Sequence, residues 1–336
     1  MSQNVLYFPY IRVPDNEWFT QVLLYWDQVG SIVPSEYVET PEKLGPHMKS
    51  LVQVGLVNQI FPGQYTDSIP RFTEAFLEYV DRPDFPVKPG AVNLPSNKKS
   101  RIHIEKLNRV ADGLVERRLA KAVSYPWFDV ESTVADQFMT YLASVLSEIE
   151  ELRSTPITDQ ERSLVNFAAP SAARNDWRQK LDRLRPFILQ DLLPVPAGGI
   201  DAEELARFKS DNLLALGEFR RKIESFLAEI VSVEDAGLAE QRIDLFKQQV
   251  QADIDGLVEL MRASGWSKVG LGTLLALTAG GLGVADAIVT GGILSIVAAA
   301  FGIGAVIPDL AKAKKIDTGH RSYAAYAASA KKQFEA

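Results

Sequence analysis

A chain of 336 residues, 46% hydrophobic and 24% charged, can bury a real core and divide into about two domains. Its net charge of -7 argues against a protein that coats nucleic acid, since neutralising phosphates takes clustered Lys and Arg. The absence of cysteine removes disulfides, thiolate nucleophiles, zinc fingers and iron–sulfur ligation together.

The opening MSQNVLYFPYIRVPDNEW has no basic segment followed by an apolar one, so no secretory signal is expected and the chain is read as cytoplasmic. VLYFPYI is β-branched and aromatic and reads as a strand ended by Pro9. A helix follows, with Asp15 as the expected N-cap, apolar Trp18, Val22, Tyr25, Trp26 and Val29 at helical spacing, and Gly30 as its stop. SIVP reads as a second strand. The next helix carries Leu44, Met48, Leu51 and Val52 on one face and stops at Gly55, and LVNQIFP reads as a third strand. Strand–helix–strand–helix–strand predicts a small parallel sheet over residues 1–82, with a further helix near Ser68 to Asp81.

Seven aromatic residues between Tyr7 and Trp26 could form a stacking platform or the core of this unit, and the helical spacing favours the core. Ligands of open α/β sheets bind beyond the carboxyl ends of the strands. Tyr10, Arg12 and Asp27 are the polar residues nearest strand or helix ends, and they are the candidate ligand-binding residues.

Residues 83–100 are rich in Pro, Gly, Ser and Asn and read as a linker, with Lys98, Lys99 and Arg101 a short basic cluster on a solvated loop. Residues 101–200 read as a helical middle. RIHIEKL suggests a strand or a strand-to-helix junction, residues 108–123 a helix, and the segment from Trp127 to Arg153 a strong helix capped by Ser132. Glu148, Glu150 and Glu151 read as a charged surface. PFILQDLLPVP (186–196) is expected to return one strand to the sheet or to form a short helix.

The opening LYFPYIRVPDNEWF with LLYWDQVGSIVP, supported by SRIHIEKL, TYLASVL, PITD, LLPVP, EELARFK and EFRRKIE, resembles a widespread bacterial family of unknown function over roughly residues 1–230. The resemblance implies a bacterial origin and one shared architecture; it carries no site residues with it.

Residues 201–265 predict two long antiparallel amphipathic helices, the first capped by Asp201, forming a hairpin or coiled-coil arm. Asp253 and Asp255 are two positions apart and cannot share a helix face, so they are not read as a metal site. Residues 311–336 read as a charged tail.

Between the arms and the tail lies the apolar, Gly/Ala-rich segment 266–310. It is not a phosphate loop: no lysine lies between Lys268 and Lys312, and neither Gly270 nor Gly281 starts a GxGxxG fingerprint. Val269 to Ile307 spans 39 residues, ~58 Å as one helix, too long for a single crossing of a ~30 Å bilayer core but suited to two crossings joined by a turn. Gly280, Gly281, Gly283, Gly291 and Gly292 offer that turn. Lys268 on one side and Lys312, Lys314 and Lys315 on the other give both ends the same basic character. Asp286 is the one charge within, and its surroundings distinguish lipid from protein core. Both environments stay open at this point.

The sequence therefore predicts a predominantly helical α+β protein: an N-terminal α/β sheet unit, a helical bundle with long arms, and a C-terminal Gly/Ala-rich helical hairpin. No nucleophile–base set or cofactor motif stands out, and His47, His103 and His320 lack metal-ligand spacing, so no catalytic residue, cofactor or metal is assigned. The expected function is a non-enzymatic interaction or effector protein of a defence or toxin-like response. Its hairpin would insert into or dock on the inner membrane, with a protein partner or self-association through the helices and no nucleic acid. The alternatives are a soluble oligomeric scaffold with the hairpin as its core, and an enzyme of unrecognised type.

Overall fold

In the computed structural model, which describes residues 3–88, 90, 95, 98–160, 181, 184–185, 188–194, 200–263 and 319–334, β1 (Asn4–Tyr7) is short because the chain meets Pro9 two residues later. A proline nitrogen has no hydrogen to give to a ladder. Helix α1 (Glu17–Tyr25) is capped by Asn16, not Asp15: the Asn16 side chain accepts from the Phe19 N–H at 2.9 Å. Nor does Gly30 stop this helix. It lies inside β2 (Gln28–Ile32), where a Cβ would come within 3.0 Å of Leu6 Cδ1 and 3.1 Å of Ile60 Cγ1. Glycine signals a helix stop and a close packing point alike, and here the neighbouring strands set its role.

Helix α2 (Ser35–Glu39), a 3-10 turn (Pro41–Leu44) and α3 (Pro46–Gln53) lead into β3 (Val57–Ile60). Leu44, Met48 and Leu51 are buried, as their spacing predicts. Helices α4 (Gly63–Thr66) and α5 (Phe72–Val80) follow. The chain then forms a second, antiparallel sheet that the sequence reading missed. β4 (Lys99–His103) runs into α6 (Ile104–Leu107) and α7 (Val110–Glu116), then β5 (Ala120–Ala122) and β6 (Trp127–Glu131). The strand order is β4-β6-β5, and Arg101 faces Asp129 across the register, its Nε donating at 3.3 Å.

Helix α8 (Ser132–Ser147) starts only where β6 ends. Its cap is Glu131, whose carboxylate accepts from the Val134 N–H at 2.9 Å, rather than Ser132. The helical periodicity after Ser132 is strong enough to hide the strand before it. After α8, β7 (Ser154–Ile157) completes the first sheet in the parallel order β3-β2-β1-β7. The returning strand is thus not 186–196, within which residues 188–192 are helical. Pro156 disguises β7 as a turn, yet an edge strand tolerates a proline. One core joins both sheets: Leu6, Phe8 and Ile32 pack with Ile102, Val130, Phe76 and Phe138. Five of the seven opening aromatics, Tyr7, Phe8, Phe19, Tyr25 and Trp26, are buried, which makes that stretch mainly core.

The chain divides into two compact units, Met1–Asp182 and Arg183–Ala336, and is predominantly helical α+β. In the second unit the first arm is two helices, α9 (Ala202–Asp211) and α10 (Leu213–Val231). Asp201 caps α9 as expected, accepting from the N–H groups of Glu203 and Glu204. The break falls at Asn212, whose side-chain amide donates to the Phe208 carbonyl at 2.7 Å, alongside its own backbone N–H at 3.1 Å. The second arm, α11 (Ala236–Ala263), stacks Phe246 on Phe226 of α10 at 3.8 Å.

Of the segment 311–336 read as a charged tail, the described residues form a 3-10 turn (Gly319–Ala324) and a helix, α12 (Ala325–Phe334). Ala325, Tyr326, Ala327, Ala328 and Ala330 are buried. Alanine's small side chain lets helices approach closely, and Lys331 and Lys332 at the end of α12 stay half-buried on the rim. Asp253 and Asp255 serve different partners, the Tyr323 hydroxyl at 2.5 Å and Lys331 Nζ at 3.0 Å. The residues picked for the apolar hairpin, Lys268, Gly280, Gly281, Gly283, Asp286, Gly291, Gly292, Lys312, Lys314 and Lys315, lie outside the described residues.

Candidate functional site at the carboxyl edge of the parallel sheet

Four parallel strands end on one side, and the segments that leave them form a polar edge. β4 and α6 supply three more side chains there. Glu105 clamps the residue that opens α2: its two oxygens accept from the Ser35 N–H at 2.6 Å and the Ser35 hydroxyl at 2.7 Å. Lys106 is 3% exposed, and its ammonium nitrogen donates to the Pro9 carbonyl at 3.3 Å. Burial pushes the Lys106 amine down to about 7, because an apolar surrounding penalises the charged form.

His103 is also 3% exposed and packs edge-on against Trp127. Its Nδ1 accepts from the Glu105 N–H at 3.2 Å, which puts the proton of the neutral ring on Nε2, facing Glu36 Oε1 at 3.7 Å. Burial lowers its pKa against the opposing pull of Glu105 and Glu36, and Lys106 and Lys43 lower it further. An amine with a near-neutral pKa has the chemistry of a nucleophile or base. Lys106, however, is enclosed and already holds Pro9, so here it fastens the loop after β1 to α6.

A second group sits where the strand order reverses, between β1 and β7. Tyr7, 1% exposed, donates its hydroxyl to Asp159 Oδ1 at 3.2 Å. Burial raises its pKa first, and the Asp159 charge, its hydrogen bond and Tyr10 add to the rise. The Trp18 ring lies 6.2 Å from the Tyr7 ring, tilted by 50°.

Of the residues picked from sequence, Tyr10 is on this edge and 54% exposed. Arg12, on the same loop, donates to the Lys43 carbonyl at 2.7 Å. Asp27 is at the opposite, amino end of the sheet. There its carboxylate accepts from the Gln3 N–H at 2.7 Å and its N–H donates to the Gln3 carbonyl, pinning the starts of β1 and β2 together. Tyr10 and Arg12 therefore share an edge, and Asp27 is not part of it. Sequence reasoning missed Lys106, His103 and Asp159. Lys106 and Pro9 stand 97 positions apart, and no local pattern announces such a pairing.

Among the described residues no cluster of His, Asp and Glu could hold a metal ion. No protein-family model, curated protein or solved structure matches the chain.

Proposed function

We propose that the chain is a bacterial interaction protein, an effector without an enzymatic role, that engages a membrane through the apolar segment 269–307. The supporting observation is the path of the chain on either side of that segment. The second unit closes its own core around α12: Tyr326 is fully buried and packs on Phe208 at 5.3 Å and Phe219 at 6.2 Å, and Phe334 packs on Phe208 at 5.2 Å. In the sequence the apolar segment follows α11 and precedes the 3-10 turn, where the Tyr323 hydroxyl donates a hydrogen bond to Asp253 of α11. The apolar segment is thus an insertion between two anchored elements of one helical unit, as a hairpin with both ends on one side of a bilayer requires. No helix among the described residues is long and apolar enough to cross a membrane. The membrane reading rests on the inserted sequence and its flanking lysines.

A second reading is a soluble scaffold that self-associates through the arms. It draws on Leu213 and Leu214, 59% and 78% exposed at the start of α10, and on exposed Leu238 and Leu245 of α11. One comparison separates the two. The full chain and a variant with 269–307 replaced by a short Gly/Ser bridge are sedimented with anionic phospholipid vesicles. The membrane reading expects the full chain to pellet and the folded deletion variant to stay in solution. A full chain that never pellets, with a deletion variant whose second unit unfolds, would make the segment core and sink the proposal.

A further inference from the structure

We propose that the tip of the β5–β6 hairpin docks the first unit on an anionic bilayer surface. Val123, Tyr125 and Trp127 would meet the acyl boundary, with Lys121, Arg101 and Lys99 behind them at the lipid phosphates. The contact lies apart from segment 269–307 and does not require that segment to insert.

The strand register sorts the side chains, because residues opposed in an antiparallel sheet share a face. Val130 opposes Ser100 and Ala120, Phe128 opposes Ile102 and Ala122, and this face packs on the core through Ile102, Val130 and Ala120. The alternate residues make the outer face, in three rows. Nearest the tip the register continues to Val123 and Trp127, joined by the Val123 N–H and the Trp127 carbonyl at 3.1 Å, with His103 on the other side of Trp127. Lys121, Asp129 and Arg101 form the next row, and Glu131 and Lys99 the last.

The rows differ in character. Tyr125 is 91% exposed, Val123 is 50% exposed and Trp127 is half-buried. Single exposed apolar residues are ordinary; here three stand within five positions at the point of one hairpin. Behind them, Lys121 and Lys99 make no ion pair among the described residues. Arg101 gives only its Nε to Asp129, at 3.3 Å, and its side chain is 58% exposed. Glu131 is committed as the cap of α8, so Asp129 is the carboxylate that faces the three cations.

Rows two residues apart lie ~7 Å from one another along a strand. Interfacial elements bury their apolar side ~5–10 Å into the boundary between headgroups and acyl chains. With the tip at that boundary, the Lys121–Arg101 row reaches phosphate depth. Tyr and Trp rings favour this layer, and long Lys and Arg stems let their charges stay in water. An apolar tip followed by cations fits a layered partner. A nucleic-acid strand takes rings and cations side by side along a groove.

Such a contact is weak alone, since even one myristoyl chain binds with a constant of only about 10⁴ M⁻¹. The variant without 269–307 should therefore stay in solution with dilute vesicles and engage them only at about millimolar lipid. The chain has no cysteine, so Tyr125→Cys carries one environment-sensitive fluorophore at the tip. In the full chain and the deletion variant, its emission should brighten and shift to the blue on phosphatidylserine-rich vesicles, and not on pure phosphatidylcholine. Replacing Lys121 and Arg101 together by Gln should weaken binding about 30-fold, and Lys121→Gln alone, at an exposed and unpaired position, about 5-fold. Val123→Ser should weaken it several-fold. A label that stays in water up to about 10 mM anionic lipid, an equal response to phosphatidylcholine, or folded variants that bind like the parent would overturn the proposal. So would a response to oligothymidylate with vesicles inert, which would give the face to nucleic acid. A full chain that pellets while its label stays in water sinks this contact alone. A label that responds alike with and without 269–307 keeps the contact even where that segment proves to be core.

Discussion

Replacing Lys106 by Met tests the physics of the carboxyl edge most directly. The ordinary amine value of 10.5 falls to about 7 for this buried side chain. At about 1.4 kcal/mol per unit, burying the charged form costs on the order of 4–5 kcal/mol. The sign comes from proton counts. Between about 7 and 10.5 the unfolded chain holds the Lys106 proton and the folded chain does not, so stability rises with pH across that window and is lost as pH falls toward 7. Met fills a similar volume with no amine to desolvate, but it leaves the Pro9 carbonyl without its donor, at about 1–3 kcal/mol. The variant should therefore be more stable than the parent by roughly 2 kcal/mol near neutrality, and the advantage should shrink at about 1.4 kcal/mol per pH unit, vanish about 1.5 pH units above neutrality, and turn into a deficit of about 1–3 kcal/mol as the amine's ordinary pKa is reached. Pulse proteolysis in urea, scoring peptides from residues 1–160 at a series of pH values, measures the difference curve, in which every other titrating group cancels. A difference that is flat with pH would show that Lys106 keeps its charge in the folded state, and the enclosed, near-neutral amine would be refuted.

The same contacts set three further outcomes. Glu105→Gln puts an amide nitrogen where an oxygen now accepts from Ser35, and the lost clamp should cost about 1–3 kcal/mol in urea unfolding of the first unit; a neutral result would mean the clamp is decorative. His103 has a folded-state pKa below its ordinary 6.5, so its contribution is present above 6.5 and fades as pH falls through the lower folded value. His103→Gln should flatten that acid limb of the stability curve while leaving the Lys106 window unchanged. Tyr326→Ala should remove about 3–5 kcal/mol from the second unit, since the side chain is fully buried, and calorimetry should show one transition moving and the other staying in place.

Local chemistry made much of the fold legible. The first and third strands of residues 1–60, the buried Leu44, Met48 and Leu51 and the Asp201 cap are each written in a span of a few residues, whereas SIVP meets β2 only at Ser31 and Ile32. What failed did so where two local signals compete or where no local signal exists. Gly30 satisfies the pattern of a helix stop, yet the packing of Leu6 and Ile60 against it is a fact about strands on either side. WFDVE reads as the first turn of a helix because the apolar stripe behind it is so regular, and only its pairing with β4 and β5 makes it a strand. STPI carries a proline, which is disqualifying for a central strand and harmless for an edge. In α12 the alanines gave too little hydrophobic contrast to stand out beside two lysines, although the rings of Tyr326 and Phe334 tie the segment to α9 and α10.

The polar edge was illegible for a deeper reason. A buried lysine is defined by its surroundings, and the Pro9 carbonyl that Lys106 meets comes from distant sequence. Within IEKL it has the look of an exposed position on a short helix. Its pairing with Pro9 arises only after β1 has stopped, α6 has turned off β4, and both sheets share one core. The same holds for Asp159, which is unremarkable until Tyr7 is placed beside it. Residues whose properties are set by long-range enclosure are also those whose replacement changes pH dependence rather than stability alone. The pH series on Lys106 and His103 therefore tests the tertiary assignment itself, because in a chain where α6 did not reach the carboxyl edge both side chains would titrate at their ordinary values.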